Sequence, residues 1–385
     1  MQKERKICFP ESGKLKIMQV SDPQDMHIVR SAMTKMLDKV YDAEKPDLVV
    51  FTGDNILGNH INDYIVGKRT HKSRKLTERR IKKALDYILK PLDKRKIPYC
   101  MLYGNHDDMN VLTKQEQAEY YKAHEYFFGL NSDDPSVECD TYNVPIYDSK
   151  GEKVIYNLYL LDSAGHPENG EDYSGIKKET VDWYIKKSNE LKENNGGEPV
   201  PSLMFQHIPV KETVKLFTEC EKDDPLALRA NEEGTKFVKL DKEKANGFAF
   251  EYPAVCDFND GELEAIRQQN DVCALVFGHD HMNSFTAELD GVNIVQTSAA
   301  SFRCYGNTVT RSVRIFEIDE NNTSQFQTRT VGYFDLFGKG FIPVLRYIMS
   351  ADEREKTRNI IWILLAVFGV AFVVYILGSF HFLGM

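Results

Sequence analysis

Residues 99–107 read Tyr-Cys-Met-Leu-Tyr-Gly-Asn-His-Asp, an apolar run that ends in three residues able to bind a metal ion. A short apolar run that ends at a glycine is typical of a buried strand. Asn, His and Asp supply the oxygen and nitrogen atoms that divalent metals bind. This stretch therefore predicts a strand with metal-binding side chains at its carboxyl end.

Four more stretches of the chain repeat this arrangement. Open α/β folds place their ligands at the carboxyl ends of strands, so we expect the side chains after these runs to meet at one edge of a sheet. The four apolar runs are 15–20, 48–52, 203–205 and 272–277. The candidate ligands that follow them are Asp22, Gln24, Asp54, His207, His279 and His281.

Between and after these runs, further segments show the spacing of helices and strands. Alternating strands and helices favour an α/β protein, and closing strands without helices favour a mixed sheet. The predicted helices are 28–41, 76–92, 178–191 and 260–269, and the further predicted strands are 154–161, 292–296 and 309–318.

The types of the candidate ligands predict a site for two divalent metal ions. Such ions lie about 3.5–4 Å apart and need a bridging carboxylate. Asp54 is the candidate bridge, because Gly53 before it lets the backbone turn sharply. Taken alone, an Asp or Asn after a strand is more often part of a turn or a helix cap, and His207 alone could be a hydrogen-bonded loop histidine. Their joint placement favours an oxygen and nitrogen site for Mn, Fe or Zn, to which Asn105 adds a neutral carbonyl oxygen.

The five ligand-bearing motifs, in the order in which they occur along the chain, resemble those of the calcineurin-like metallophosphoesterase family. The resemblance extends from about Lys16 to Ile318. It implies a four-layer α/β/β/α sandwich of two mixed sheets, with the metals at the strand ends. It also implies two ligand sets that share one carboxylate, namely Asp22, Gln24, Asp54 and His281 for one metal and Asp54, Asn105, His207 and His279 for the other.

The resemblance further implies an activity. Phosphate mono- or diesters would be hydrolysed by direct attack of a hydroxide that bridges the two metals, and His106 would protonate the departing oxygen. Asp107 is expected either to orient His106 through a carboxylate–imidazole hydrogen bond or to cap a helix. The alternative is a catalytically impaired, membrane-tethered module that binds phosphates or nucleotides on the same fold.

Two positions depart from the family pattern. The usual first motif is Asp-x-His, whereas this chain has Gln24 in place of the histidine. A Gln carbonyl still reaches a metal but binds it more weakly than imidazole does. Purple acid phosphatases have a tyrosine three residues after the bridging Asp, where this chain has Leu57. We therefore expect a variant metal site without an iron–tyrosinate centre.

Charge and cysteine content exclude other classes of function. The net charge of −9 argues against binding to nucleic acid, which usually requires a basic face. The seven cysteines are scattered singly, and C-x-x-C does not occur. This pattern indicates neither a disulfide framework nor a zinc ribbon, and it suits a reducing compartment.

The C-terminal end predicts a membrane anchor. Residues 360–380 contain no charged side chain, and about 20 apolar residues suffice for a helix to cross a bilayer. Arg354 and Arg358 precede this segment and no Lys or Arg follows it, so the N-terminal side is expected to be cytoplasmic. The start of the chain lacks the apolar stretch of a signal peptide.

We therefore expect a single-pass membrane protein that contacts the lipid bilayer through its C-terminal helix. The expected organisation is a catalytic domain at 1–330, a juxtamembrane linker at 331–358 and a transmembrane helix at 359–381. Within the linker, the apolar segment 332–349 is expected either to rest in the membrane interface or to pack on the domain.

Two further segments are candidates for selecting the substrate. Segment 211–256 is long, polar and without clear periodicity, which favours a specificity loop. The basic run 68–83 has two possible roles. It attracts an anion, which is the substrate or the membrane surface, or it is simply a solvated helix face. His166 and Tyr173 are expected to line the substrate cleft beside the metal site.

Overall fold

A computed structural model describes residues 5–63, 73–132, 134–163, 173, 175–256 and 261–382. Strands and helices alternate along this part of the chain. The strands are β1 (Ile7–Cys8), β2 (Lys14–Val20), β3 (Leu48–Thr52), β4 (Tyr99–Leu102), β5 (Tyr142–Tyr147), β6 (Val154–Leu160), β7 (Ser202–Phe205), β8 (Phe217–Glu219), β9 (Leu228–Arg229), β10 (Phe237–Leu240), β11 (Ala245–Ala249), β12 (Val272–Phe277), β13 (Asn283–Leu289), β14 (Val292–Gln296), β15 (Ser312–Asp319) and β16 (Asn322–Gly332). The helices are α1 (Ser31–Glu44), α2 (Arg74–Arg95), α3 (Lys114–Lys122), α4 (Lys178–Asn194), α5 (Glu262–Gln269), α6 (Tyr333–Phe337), α7 (Phe341–Ser350) and α8 (Glu355–Phe382).

Most strands belong to two mixed sheets. The five-stranded sheet has the order β16-β15-β2-β3-β4, in which β2, β3 and β4 are parallel and β15 and β16 are antiparallel to their neighbours. The eight-stranded sheet has the order β1-β5-β6-β7-β12-β14-β13-β11, and its central strands β6, β7, β12 and β14 are parallel. The predicted α/β class with mixed sheets is confirmed.

The two sheets pack face to face. Phe205 of β7 and Phe316 of β15 meet edge to face, with ring centroids 6.2 Å apart. Phe205 lies in the core that also holds side chains of α1 and α2, whereas the preceding Met204 lies in the core under α4 and α5. This alternation is typical of a strand that is buried on both faces. Helices thus cover both outer faces, and the four-layer sandwich is confirmed.

The edges where the parallel strands end face one another across the sandwich. Thr52 is the last residue of β3, and its carbonyl oxygen lies 2.9 Å from Nδ1 of His207, which follows β7. Gln19 near the end of β2 donates a hydrogen bond of 3.0 Å to the carbonyl of Phe277, the last residue of β12. The loops that follow these strands therefore converge, as the sequence motifs predict.

Segment 211–256 differs from the predicted loop. Strands β8, β10 and β9 form a small antiparallel sheet, and β11 pairs with β13 at the edge of the eight-stranded sheet. These strands have only two to five residues each. The prediction of a loop over the whole segment is wrong, because strands this short contain too few residues for an alternating pattern to be recognised.

The segment before the apolar C-terminal helix contains two helices. Tyr333 of α6 and Tyr347 of α7 are buried and both contact Phe302, with ring centroids 5.4 and 5.6 Å away. This face therefore packs on the domain, while Phe341 and Ile342 of α7 are exposed. Helix α8 begins at Glu355, a few residues before the expected boundary, and is long and apolar enough to cross a membrane.

Candidate metal centre

Asp22, Asp54 and His281 meet at the facing edges of the two sheets. One ligand atom of each lies within 4.8 Å of those of the other two. All three side chains are buried, and Oδ1 of Asp22 is 3.7 Å from Nε2 of His281. Two carboxylates and one imidazole in this arrangement are able to hold a divalent cation.

A second group of candidate ligands surrounds His207. Its Nε2 lies 3.0 Å from Oδ1 of Asn105 and 3.2 Å from Nδ1 of His279. The same nitrogen is 3.6 Å from Oδ1 of Asp54. Asp54 therefore borders both groups, which is the position required of a carboxylate shared by two metals.

Four of the candidate ligands have a left-handed backbone conformation. The φ angles are 46° at Asp22, 27° at Gln24, 46° at Asp54 and 70° at His279. Such angles cost about 1–3 kcal/mol in residues other than glycine, and they cluster at functional sites. The strained turns direct these side chains toward the site directly after their strands end.

Two glycines make room for the ligands. Gly53 has a φ of 87°, and a Cβ at this position would lie 2.7 Å from Cγ of His207. A Cβ on Gly104 would lie 2.7 Å from Nε2 of His207 and would overlap Oδ1 of Asp54. Any larger residue at either position would therefore displace a candidate ligand.

Backbone carbonyls orient two of the imidazoles. Nδ1 of His207 is 2.9 Å from the oxygen of Thr52, and Nδ1 of His281 is 3.4 Å from the oxygen of Tyr305. A ring whose Nδ1 donates to a carbonyl presents a free electron pair on Nε2, as metal-binding histidines usually do. The ring of Tyr305 also stacks on His281, with centroids 4.3 Å apart and an interplanar angle of 5°.

Asp54 and His207 stabilise each other's charge. Burial raises the pKa of Asp54, but the charge of His207 outweighs it and holds the pKa below its ordinary value. Burial lowers the pKa of His207, but the carboxylates of Asp54 and Asp22 outweigh it and raise the pKa to about 9. Without a metal, His207 therefore carries a proton at neutral pH that a cation would displace.

Burial shifts the pKa of the other titratable ligands toward the uncharged form. It raises the pKa of Asp22 to about 7 and lowers the pKa of His281 to about 3. Burial and the nearby charge of His207 lower the pKa of His279 well below its ordinary value. Neutral imidazole is the form that binds metals, and a bound cation would offset the desolvation of Asp22.

Several buried ligand atoms have no hydrogen-bond partner within the described part of the chain. These atoms are Oδ1 of Asp22, Oε1 of Gln24 and Nε2 of His279. A buried polar atom without a partner costs about 1–3 kcal/mol. All three are metal-ligand atoms on residues that the sequence predicts as ligands, so this donor set fits divalent cations.

His106 lies between the ligands and the solvent. Its side chain is 29% exposed, and its Nε2 is 4.0 Å from Oδ2 of Asp54. The backbone N–H of His106 donates a hydrogen bond of 2.8 Å to Oδ1 of the same carboxylate. This position suits a group that donates a proton to a leaving oxygen beside the metals.

Neither role predicted for Asp107 agrees with the structure. Its Oδ1 accepts a hydrogen bond of 3.0 Å from the backbone N–H of Ile56, and its Oδ2 accepts one of 2.8 Å from that of Gly104. Nδ1 of His106 is buried without a partner in the described structure. The next helix along the chain, α3, is capped by Thr113. Asp107 therefore links the loop after β3 to the turn after β4.

A cleft of about 920 Å³ opens over the ligands. Tyr173 lines it as predicted and meets the ring of His279 edge to face, with centroids 4.5 Å apart. His166 lies outside the described residues. Sequence reasoning missed Arg303 and Tyr305 in the cleft wall, because no recognisable motif marks their loop.

The described residues of the two segments proposed for substrate selection contribute little to this cleft. From segment 211–256, Ala254 lines it. Positions 68–72 of the basic run lie outside the described residues. The remaining basic residues belong to α2, and the cleft lining among described residues contains none of them. Arg80 is buried and donates a hydrogen bond of 2.7 Å to the carbonyl of Asn62.

The fold and the ligand cluster define an α/β protein with a candidate metal centre at the edges of its sheets. The family model of calcineurin-like phosphoesterases matches residues 15–283, which include every candidate ligand. The chain belongs to the calcineurin-like phosphoesterase family, and the resemblance seen in the sequence is confirmed.

Curated relatives carry names that differ on activity. The chain is 27% identical over 354 residues to "Probable inactive purple acid phosphatase 29" of Arabidopsis thaliana, covering 82% of this chain and 80% of the relative. It is 26% identical over 354 residues to "Phosphatase DCR2" of Saccharomyces cerevisiae, covering 82% of this chain and 53% of that protein. Activity is thus ascribed to one relative and doubted for the other.

Solved structures show a more distant similarity. A dimetal phosphatase from Danio rerio matches with a TM-score of 0.46 and 14% identity, over 83% of this chain and 99% of that one. The purple acid phosphatase PPD1 from yellow lupin matches with a TM-score of 0.40 and 10% identity, over 85% of this chain and 55% of that one.

Proposed function

We propose that this chain is a metal-dependent phosphoesterase that hydrolyses phosphate mono- or diesters. The observation that carries the proposal is the convergence of ligand atoms from Asp22, Asp54 and His281 within 4.8 Å of one another. The unpartnered ligand atoms and the adjoining group around His207 support it. The cleft of about 920 Å³ over these residues has the size of a small-molecule site.

The chemistry follows from the ligand types. When bound, two divalent ions of the Mn, Fe or Zn type would polarise the phosphate oxygens and lower the pKa of water. Asp54 borders both ligand groups and would be shared between the ions. His106 faces the cleft and would give a proton to the departing oxygen. Asp107 would keep the loops of Asp54 and His106 in register through its hydrogen bonds to Ile56 and Gly104.

The rival proposal is a catalytically impaired module that binds phosphates or nucleotides on the same fold. Two observations favour it: Gln24 replaces the usual histidine, and three relatives are named as probable inactive. Loss of activity usually removes ligands, whereas the other six candidates are retained in this chain and lie around one site. We therefore favour the enzyme.

Turnover and metal content separate the two proposals. The purified chain is loaded with Mn²⁺ and assayed with 4-nitrophenyl phosphate and bis(4-nitrophenyl) phosphate, and bound metal is measured by mass spectrometry. Asp54→Asn should lose both metal and turnover while its circular dichroism stays unchanged. The exposed control Asp182→Asn should retain both. Stoichiometric metal without turnover of either ester would favour the binding module.

We further propose that α8 attaches the domain to a membrane. The helix is apolar from Ile360 onward, and its apolar side chains are exposed to solvent, where they would otherwise be unfavourable. Arg354, Lys356 and Arg358 precede the apolar part, which supports a cytoplasmic position for the catalytic domain.

A further inference from the structure

The cleft contains three arginines in addition to the candidate metal ligands. Arg30 precedes α1, Arg303 lies in the loop after β14, and Arg358 lies near the start of α8. None of the sequence motifs described above contains these positions. The metal chemistry does not use them, so their role needs a separate explanation.

The loop at 301–305 connects this arginine group to the metal ligands. The hydroxyl of Ser301 donates a hydrogen bond of 3.1 Å to the carbonyl of Gln24, and Tyr305 stacks on His281. In the same loop, the carbonyl of Phe302 accepts a hydrogen bond of 3.0 Å from the N–H of Asp352. The cleft therefore runs from the candidate metal centre to the base of the proposed membrane helix.

Two of the three guanidinium groups form no ion pair with any carboxylate that the structure describes. Arg303 pairs with the buried carboxylate of Asp25. Arg30 and Arg358 form no ion pair within the described structure, and Nε of Arg30 is buried without a hydrogen-bond partner. Arg358 is only 8% exposed, and its side chain donates to the carbonyl of Ala351 at 3.0 Å. Arg30 is half-buried and Arg358 is buried, and a cation held away from water without a counter-ion is costly.

The described acidic residues of the cleft form no ion pairs that would neutralise Arg30 and Arg358. Asp352 and Glu355 line the cleft but form no ion pair with an arginine within the described ranges, and Asp63 pairs with His60 at 2.7 Å. Burial lowers the pKa of Arg30, and the charges of Arg303 and Arg358 lower it further. The carboxylates of Asp25 and Asp352 raise it but offset only part of this shift. A mobile anion in the cleft would relieve this repulsion.

We propose that Arg30, Arg303 and Arg358 form a second anion site, and that the substrate carries two phosphate groups, one at the metal centre and one at these arginines. Guanidinium groups bind phosphate through charge-assisted and often bidentate hydrogen bonds. This inference rests on the proposed phosphoesterase function and narrows its substrate class.

The reaction remains a hydrolysis. The oxygen of water bonds to phosphorus at the metal centre, the ester P–O bond breaks, and the departing oxygen takes up a proton. The second phosphate stays unchanged and holds the leaving group. Arg358 belongs to α8, the proposed membrane helix, so the second phosphate could be part of a phospholipid headgroup at the membrane surface. It could equally be part of a soluble bisphosphate.

The test uses the full chain in detergent and compares inositol 1,4-bisphosphate with inositol 4-phosphate, which lacks the second group. The wild type should show a kcat/KM for the bisphosphate at least tenfold higher. Arg30→Gln and Arg358→Gln should each remove most of this preference and leave kcat/KM for the monophosphate within about twofold. The side chain of Arg30 forms no ion pair within the described structure and its Nε has no hydrogen-bond partner there, so its variant should fold normally.

Matched controls remove charge outside the cleft. Lys35→Gln on α1 and Lys356→Gln on α8 are exposed and should keep the full preference. If both arginine variants still prefer inositol 1,4-bisphosphate over inositol 4-phosphate as the wild type does, the proposal is overturned. Equal losses for both substrates would also overturn it, because they would show a general role in folding or charge and not a second site.

A vesicle assay distinguishes the sources of the second phosphate. Phosphatidylinositol 4-phosphate in phosphatidylcholine vesicles presents the same headgroup at a bilayer. Faster turnover of the lipid than of inositol 1,4-bisphosphate supports a headgroup substrate, and the reverse supports a soluble one. In either case Arg30→Gln must lower the rate.

Calorimetry separates failure of this inference from failure of the proposed function. If no phosphate ester is turned over, the phosphoesterase proposal fails. Binding of inositol 1,4-bisphosphate more tightly than of inositol 4-phosphate, with loss of the difference in Arg30→Gln, would then still support the second site. Equal binding of the two ligands by the wild type would overturn it.

Discussion

The side-chain amide of Gln24 donates a hydrogen bond of 2.8 Å to Oδ2 of Asp54. The backbone N–H of Gln24 also donates 2.9 Å to the carbonyl of Asp54, so the two loops are joined twice. The amide oxygen of Gln24 is left buried without a partner in the described structure. Gln24 is therefore positioned beside the proposed bridging carboxylate with one ligand atom unused.

This contact predicts the effect of restoring the usual family residue. Imidazole is a stronger ligand than an amide oxygen for Mn, Fe and Zn. Gln24→His should therefore bind its first metal more tightly, by about tenfold in Kd, as measured by competition with a chelator. Gln24→Ala, which has no ligand atom, should bind it more weakly than the wild type. An unchanged Kd in both variants would mean that position 24 does not contact the metal.

The pKa values of the site predict that metal affinity depends on pH. His207, whose pKa is raised to about 9, must lose a proton before its Nε2 can bind a metal. Affinity should therefore rise from pH 7 to 9 and level off above. Asp22, whose pKa is raised to about 7, adds a second displaced proton below pH 7 and steepens the slope there.

Titration calorimetry in two buffers with different ionisation enthalpies measures the displaced protons. About one proton per site should be released at pH 8, and His207→Gln should abolish this release. A Kd that does not change between pH 7 and 9 would contradict the assignment of His207 as a ligand.

Much of the fold was predictable because the central strands are rich in apolar residues. Strands β3, β12 and β14 have the predicted boundaries, and each begins directly after a charged or turn residue, at Asp47, Asp271 and Gly291 respectively. The first helix was predicted to begin at Ile28 because this residue fits the helical spacing of apolar residues. It begins instead at Ser31, and Ile28 is 55% exposed in the preceding loop.

Contacts between distant loops were not predictable in the same way. Motif order indicated the ligands, but the partners of Asp107 lie in another loop, at Ile56, and on its own turn, at Gly104. Nothing local to Asp107 shows that its oxygens accept backbone hydrogen bonds there. The arginines of the cleft likewise come from three separate elements, so no sequence spacing relates them.

Gly104 provides a test of the close approach of the ligands. In Gly104→Ala the added methyl group would overlap Oδ1 of Asp54 and press on Nε2 of His207. We expect metal binding to weaken by at least tenfold and the free energy of unfolding to fall by about 1–3 kcal/mol, the usual cost of overpacking. Metal titration and urea unfolding measure the two effects.

The matched control for this variant is Gly340→Ala. A Cβ at Gly340 meets no atom nearer than 3.9 Å, and its φ of −70° suits alanine. Metal affinity should stay at the wild-type value. Normal metal binding by Gly104→Ala would show that the ligands tolerate a shift of this size and that the close approach is not required.

Removing α8 tests its proposed role as the membrane anchor. A chain that ends at Arg354 keeps the ion pair of 2.7 Å between Arg311 and Glu353, and it keeps the hydrogen bond from Asp352 to Phe302. The domain should therefore fold, remain in solution without detergent and turn over 4-nitrophenyl phosphate.

The full chain should float with lipid vesicles in a density gradient, whereas the shortened chain should stay at the bottom. If the shortened chain also floats, the exposed Phe341 and Ile342 of α7 bind the bilayer, and replacing both by Ser should release it.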